Sequence, residues 1–137
     1  MLFRSHRLPF AENSFNGIVR IYAPCKAEEL QRVTTEDGVL ITVTPAPRHL
    51  YQMKELIYPQ VHLHPENDEQ IEGFTRVSQD LLHYTMQLSG EDATALMQMT
   101  PFAWKTKPET WEKLAKSQQF ECEAHFCISV HKRNKIA

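Results

Sequence analysis

The chain is 137 residues long, which is enough for one domain built around a single core. Hydrophobic residues make up 42% and charged residues 23%, which excludes wholesale disorder, a collagen-like repeat and a disulfide-dense scaffold. The net charge of −2 excludes a histone-like binder by bulk charge, but the balance is uneven: residues 51–100 hold 2 basic and 8 acidic side chains, residues 101–137 hold 7 and 4.

In chain order, Leu8-Pro9-Phe10 and Asn13-Ser14 read as loop. Gly17 to Tyr22 is a short, mostly apolar run ended by Ala23-Pro24, the pattern of a strand covered on both faces. Cys25 to Val33 places Ala27, Leu30 and Val33 at helical spacing among charged residues, an amphipathic helix. Thr34 to Gly38 reads as a turn, with Asp37-Gly38 its strongest signal. Val39 to Thr44 is a second buried strand, rich in β-branched residues. Strand, helix, strand makes a βαβ unit with parallel strands, and ligands of open α/β sheets bind at the carboxyl edge of such strands. The loops Tyr22–Cys25 and Pro45–His49 fall there.

Further on, a helix is expected from about Pro47 to Ile57, stopped by Pro59. Residues 59–77 read as a long loop or lid, and Leu81 to Leu88 as a strand. Ser89-Gly90-Glu91-Asp92 opens a helix through Met99, its acids favourable at the positive helix end. Thr100-Pro101 begins a turn carrying Phe102 and Trp104. Thr106-x-x-Glu109, with Pro108 between, is a capping box for a helix to about Lys116. Phe120 to Val130 alternates, with six apolar residues at period two, a last strand apolar on one face.

No apolar run approaches the ~20 residues that cross a bilayer, and Arg4, His6 and Arg7 break up the start, so neither a span nor a signal peptide is predicted. The three cysteines, Cys25, Cys122 and Cys127, include no Cys-x-x-Cys pair. A reduced, cytoplasmic protein with buried thiols and no Cys-rich zinc site is expected.

The glycines, at 17, 38, 73 and 90, never fall within two residues of one another, so there is no phosphate-cradling G-x-G turn. His62-Leu63-His64, with Asp68 and Glu69 nearby, is the best metal-like cluster, but no third ligand is fixed by spacing, and a solvated loop is the plainer reading. Arg48-His49, at the ligand edge, fits either a polar ligand contact or an ordinary loop cap. Phe102 and Trp104 are expected to pack in the core, with base stacking as the alternative. The tail His131 to Lys135 is a frayed terminus or a phosphate contact.

Three stretches near the start, Ser5-His6-Arg7-Leu8-Pro9-Phe10, Ile21-Tyr22-Ala23-Pro24-Cys25-Lys26-Ala27-Glu28-Glu29-Leu30 and Pro47-Arg48-His49-Leu50, resemble the RlmA-type 23S rRNA guanine-N1 methyltransferases. So do Val61-His62-Leu63-His64, Glu72-Gly73-Phe74-Thr75 and Gln98-Met99-Thr100-Pro101-Phe102-Ala103-Trp104, in one unbroken order over nearly the whole chain. The resemblance implies α/β architecture: the carboxyl-terminal half of a class I, Rossmann-like methyltransferase fold, with a parallel βαβ start and antiparallel final strands. It implies S-adenosylmethionine as cofactor, a 23S rRNA hairpin as partner, and homodimers.

Residues 1–137 would then be a partial methyltransferase domain from the fourth strand onward, with the family's zinc module and Gly-rich cofactor loop absent and Met1-Leu2-Phe3-Arg4 departing from its pattern. Carried over by position, a cofactor contact falls on His49; Tyr22 and Ala23, at the end of the fourth strand, are pocket candidates, with Tyr22 and Ser5 on the cofactor side and Ala23 and Arg48 on the substrate side. The guanine N1 proton needs a base, for which Asp80, Glu72 and His49 are candidates. The isolated chain is expected to be nearly inactive, or a non-catalytic RNA-binding or dimerising remnant. The strand Gly17–Tyr22, without a partner on one side, is expected to self-associate.

Overall fold

The computed structural model describes residues 7–63, 65 and 69–135. The described residues fall into two compact units, those within Met1–Pro45, Glu66–Leu81 and Phe126–Ala137, and those within Ala46–Pro65 and Leu82–His125. Strand β1 is Phe15–Ile21, helix α1 Ala27–Val33, strand β2 Thr34–Pro45, helix α2 Tyr51–Glu55 and strand β3 Phe74–Leu88. Helix α3 (Gly90–Gln98), a 3₁₀ turn (Ala103–Lys105), helix α4 (Pro108–Ala115) and strand β4 (Phe120–Arg133) complete the chain. The sheet order is β1-β2-β4-β3, with β1 parallel to β2 and β4 antiparallel to β2. No helix among the described residues is long and apolar enough to cross a membrane.

In the first unit, the β-branched run of β2 is flanked on both sides, pairing Gly17 with Val39 through Ile21 with Val43, and Val39 with Lys132 through Pro45 with Phe126. Leu40, fully buried, packs with Leu30 of α1, Ile71 and Phe74. The amphipathic spacing of α1 turns Leu30 and Val33 inward. Its Arg32 guanidinium donates to the carbonyls of Leu8 and Phe10, which pins the amino-terminal loop, and Glu29 holds the same guanidinium.

Three expectations for this unit are corrected. Thr34–Gly38 is no free turn but the start of β2, where two residues of β1 face five of β2 and the excess bulges. The chain folds so tightly there that a Cβ on Gly38 would lie 2.3 Å from Thr34 Cγ2, which is why Asp-Gly occurs at this point. Strand β1 is not covered on both faces: Val19 and Ile21 are about 60% exposed (61% and 62%), and among the described residues β1 pairs with β2 alone. Strand β3 starts at Phe74, well before Leu81, since Phe74 is seated in the core by the turn at Gly73, whose φ is +87°. Beyond Phe74 this edge strand faces solvent, so its residues need no alternation.

In the second unit, Leu50, Met53, Ala93, Met97, Leu114 and Cys122 form the core, with Phe102, Trp111 and Phe120 packed against it. The cap of α3 forms as the residues require: Asp92 N–H donates to Ser89 Oγ (3.1 Å), and Glu91 and Asp92 occupy the first turn. The expected helix Pro47–Ile57 shrinks to α2, because Leu50 takes a left-handed conformation (φ 56°) while its N–H donates to Glu123 O (2.8 Å). The capping box at Thr106 does not form. Its hydroxyl donates back to Phe102 O (3.1 Å), and α4 relies on Pro108 in its first turn.

Strand β4 is not apolar on one face throughout: Cys122 and Ala124 are buried in the second unit, but Cys127, Ser129 and His131 in the first. It also runs on to Arg133, so His131 to Arg133 form paired strand rather than a frayed tail. Cys25 is half-buried and Cys122 and Cys127 are buried, all as free thiols.

Gly90 fits tightly against the end of α4: a Cβ there would meet Ala115 O at 2.3 Å and Ser117 O at 2.7 Å, both backbone atoms. Gly90→Ala is expected to lower unfolding free energy in urea by about 1–3 kcal/mol. Gly17→Ala, whose Cβ would have its nearest neighbour at 3.9 Å, is expected to change it by less than ~0.5 kcal/mol.

Candidate functional site

The structure distributes the five site residues expected from the sequence. Tyr22 and Ala23 lie in the first unit, Arg48 and His49 in the second, and Ser5 lies outside the described residues. His64 and Asp68 of the metal-like cluster are also outside them, while His62 is on a loop. Among the described residues no three His, Cys, Asp or Glu side chains gather as a metal site.

In the first unit, the parallel pairing puts the ends of β1 and β2 on one edge. Tyr22 N–H continues the ladder to Val43 O (3.1 Å), but Tyr22 itself takes φ 55°, a left-handed conformation that a non-glycine residue rarely adopts. That twist turns the chain into Ala23-Pro24-Cys25. With Arg20, Thr44 and Glu69 these residues line an open cleft of about 450 Å³. The Tyr22 ring lies 6.4 Å from that of Phe126, and partial burial raises the Tyr22 hydroxyl pKa. Burial also pushes the Cys25 thiol up, against the smaller pull of Arg20, so Cys25 is no activated nucleophile.

The charged groups of the cleft form an ion pair, Arg20 with Glu69. These residues do not by themselves fit S-adenosylmethionine. A ribose diol is held by a carboxylate that can accept both hydroxyls, and here one oxygen of the carboxylate is already bound to a guanidinium. The amino-acid end is cradled by a glycine-rich turn after a first strand, and no two glycines of this chain are close enough to form one.

In the second unit, Glu123 gathers a polar network. Arg48 reaches it with two nitrogens (Nε to Oε1 at 3.0 Å, NH2 to Oε2 at 2.8 Å), Gln52 Nε2 donates at 2.6 Å and His83 Nε2 lies 2.7 Å away. The Arg48 guanidinium also lies 4.1 Å over the Tyr51 ring. The Arg48 bond, with smaller contributions from Gln52 and His83, outweighs burial and holds the Glu123 carboxyl down at about 2.

His83 stacks on His125 with ring centres 4.0 Å apart. His125 Nδ1 accepts from Arg48 N–H (3.2 Å), and His49 Nδ1 accepts from His125 N–H (3.1 Å). A ring nitrogen that accepts carries no proton, so both imidazoles, when neutral, hold their proton on Nε2. Burial, then the neighbouring charge of His83, lowers the His125 pKa, which favours that neutral form.

Arg48 and His49 were expected at a helix start, either meeting a polar ligand or as an ordinary loop cap. Instead Arg48 N–H and guanidinium both bind within the unit, before α2 begins. Glu123, Gln52, His83 and His125 were not foreseen. Their partners lie up to 77 residues away, and no local pattern marks them. Trp104, expected in the core, is 77% exposed; Phe102 alone packs there, edge-on to Tyr58. Glu72 and Asp80 are exposed in the first unit.

The mixed sheet, parallel at β1–β2 and antiparallel beyond, is the arrangement of a class I methyltransferase fold. A crystal structure of a protein assigned as a methyltransferase from Bacillus halodurans C-125 shares it, with TM-score 0.51 and 16% identity over 96% of this chain and 70% of that one. No protein-family model matches the chain.

The chain is related in sequence to the 23S rRNA (guanine-N1)-methyltransferases. It is 30% identical over 107 residues to one so assigned from Micromonospora griseorubida, covering 74% of this chain and 36% of that protein. It is 26% identical over 106 residues to the 23S rRNA (guanine(748)-N(1))-methyltransferase of Streptomyces fradiae, covering 74% and 38%. The chain thus spans little more than a third of the length of these relatives.

The network makes a pH prediction. With the Glu123 pKa at about 2 in the folded chain and an ordinary 4.5 unfolded, the unfolded state takes up its proton first as pH falls. The stabilisation is therefore complete above about pH 4.5 and is lost towards pH 2. Wild type should exceed Glu123→Gln by about 1–2 kcal/mol in urea unfolding near neutral pH, solvent around the half-exposed Arg48 and His83 screening the rest, and the gap should close in that acid window.

Proposed function

We propose that the chain is the carboxyl-terminal part of a 23S rRNA guanine-N1 methyltransferase. The methyl donor is S-adenosylmethionine, the substrate is a guanine in an rRNA hairpin loop, and this part alone transfers little or no methyl. The observation that carries the reading is the match, over about three quarters of this chain (74%), to relatives assigned that reaction. The strained Tyr22-Ala23-Pro24 turn at the ligand edge of a methyltransferase fold supports it.

The cofactor brings an activated methyl group. The chain's part is to position the guanine, taken out of its stack, with N1 in line. In this reading Tyr22 and Ala23 shape the target pocket, and Arg48 holds substrate through the half of its side-chain surface that Glu123 and Tyr51 leave open. His49, its Nδ1 already accepting, is not suited to the removal of the guanine proton. That points the search for the base to Asp80, Glu72 or residues outside this chain.

Calorimetric titration tests the reading. S-adenosylmethionine should bind the isolated chain more weakly than about 10 μM, roughly −7 kcal/mol. Tighter binding would show that the half-site suffices. Any binding that is seen should weaken in His49→Ala.

The exposed β1 edge, with Val19 and Ile21 open to solvent, is read as the contact through which the chain self-associates. Sedimentation velocity across a concentration series should show a growing dimer. A monomer at every concentration would remove this reading.

A further inference from the structure

We propose that Trp104, with Lys105 and Lys107 beside it, is a stacking platform for an unpaired RNA base. The inference rests on the rRNA reading above and adds a contact that none of the expected site residues supplies.

Trp104 leaves 77% of its surface in water, and Met99, one turn earlier in the chain, leaves 82%. The second tryptophan, Trp111, packs against the core of the same unit, so an exposed indole is not forced by a lack of core to join. Nor does Trp104 sit on a loose loop. Thr106 N–H donates to Ala103 O and Lys105 N–H to Phe102 O (both 3.1 Å), while Thr106 Oγ1 donates to Phe102 O (3.1 Å). Thr100 Oγ1 donates to Met97 O (2.7 Å), and Met97 is fully buried. Phe102 anchors this turn in the core from below. The indole is thus presented by a rigid support, and little ordering is needed when it meets a partner.

The charge around it selects the partner. The Lys105 ammonium lies 5.1 Å from the Trp104 ring and 5.6 Å from the Tyr58 ring, within cation–π range of both. Residues 99–107 carry Lys105 and Lys107 and no acid, within a chain whose net charge is −2. A flat π face with one ammonium over it and a second lysine three residues along the chain matches a base with its phosphates, since every base offers a face to stack and every phosphate a charge to meet. A buried protein–protein contact would instead exclude the charged lysines from its centre.

Fluorescence anisotropy of a labelled, unpaired oligoribonucleotide, titrated with the full chain, tests this. Trp104→Ala should weaken binding about tenfold, and Trp104→Phe, which keeps a ring, should recover most of the loss. Lys105→Gln with Lys107→Gln should flatten the dependence of log affinity on log salt by about 1 to 1.5. A blunt RNA duplex of the same sequence should bind more weakly and be indifferent to Trp104→Ala. Since Trp104 is exposed, its variants should melt like wild type, which circular dichroism checks. Wild-type binding that Trp104→Ala leaves unchanged overturns the platform and leaves the rRNA reading standing. A chain that binds no RNA overturns both. A wild-type dimer that Trp104→Ala dissociates would make the surface a protein contact and overturn the platform too.

Discussion

Strand β2 has neighbours of opposite direction, and much of the first unit follows from that. Parallel pairing with β1 needs a crossover, which α1 supplies, and it forces the carboxyl ends of both strands to one edge. Antiparallel pairing with β4 brings that strand's Phe126 to the same edge, opposite Pro45. The Tyr22 turn, the end of β2 and the Phe126 ring therefore meet without any contact dedicated to gathering them. The same order leaves β1 at the rim among the described residues, and its Val19 and Ile21 are exposed although their sequence suits a covered strand.

In the second unit one carboxylate has a comparable part. Glu123 is largely buried, and a buried charge is tolerated only when it is paired and hydrogen-bonded. Arg48, Gln52 and His83 meet that demand, and Glu123's own N–H donates to Gln52 Oε1 (2.8 Å). Because Glu123 O also receives Leu50 N–H, the same residue fixes the left-handed bend that shortens α2. Arg48 and His49 are thereby held in place, and for His49 the bond to His125 N–H also settles that a neutral ring keeps its proton on Nε2.

What was legible in the sequence was what is local or deeply buried. Val39–Thr44 reads as a strand because β-branched residues in succession have few other uses. Ser89 through Asp92 reads as a helix start because the cap and its receiving N–H are three residues apart. The first half of β3 was invisible because an edge strand facing water needs no apolar alternation. The bend at Leu50 was invisible because no glycine or asparagine announces it; a bond to β4 imposes it. The candidate site divided the same way. Tyr22, Ala23, Arg48 and His49 could be placed by topology and resemblance, but Glu123, Gln52, His83 and His125 lie on segments whose partners are 40 to 77 residues away. Trp104 departs from the expectation that aromatic residues pack: Phe102, two residues earlier, takes the core position, and Trp104 is exposed.

Cofactor recognition and RNA recognition make different demands, and this chain meets them unequally. Holding a small zwitterionic nucleoside needs several polar groups fixed at once, each with capacity left to bind. The cleft beside Tyr22 has its carboxylate bound to Arg20, and the cluster around Arg48 spends much of its capacity on Glu123. Gripping an unpaired nucleotide needs less: one rigid aromatic face and a few cations, with tolerance for variation in geometry. The Trp104 turn offers that, and offers it already ordered. In the proposed reading, the chain would grip unpaired RNA more readily than it would hold the methyl donor.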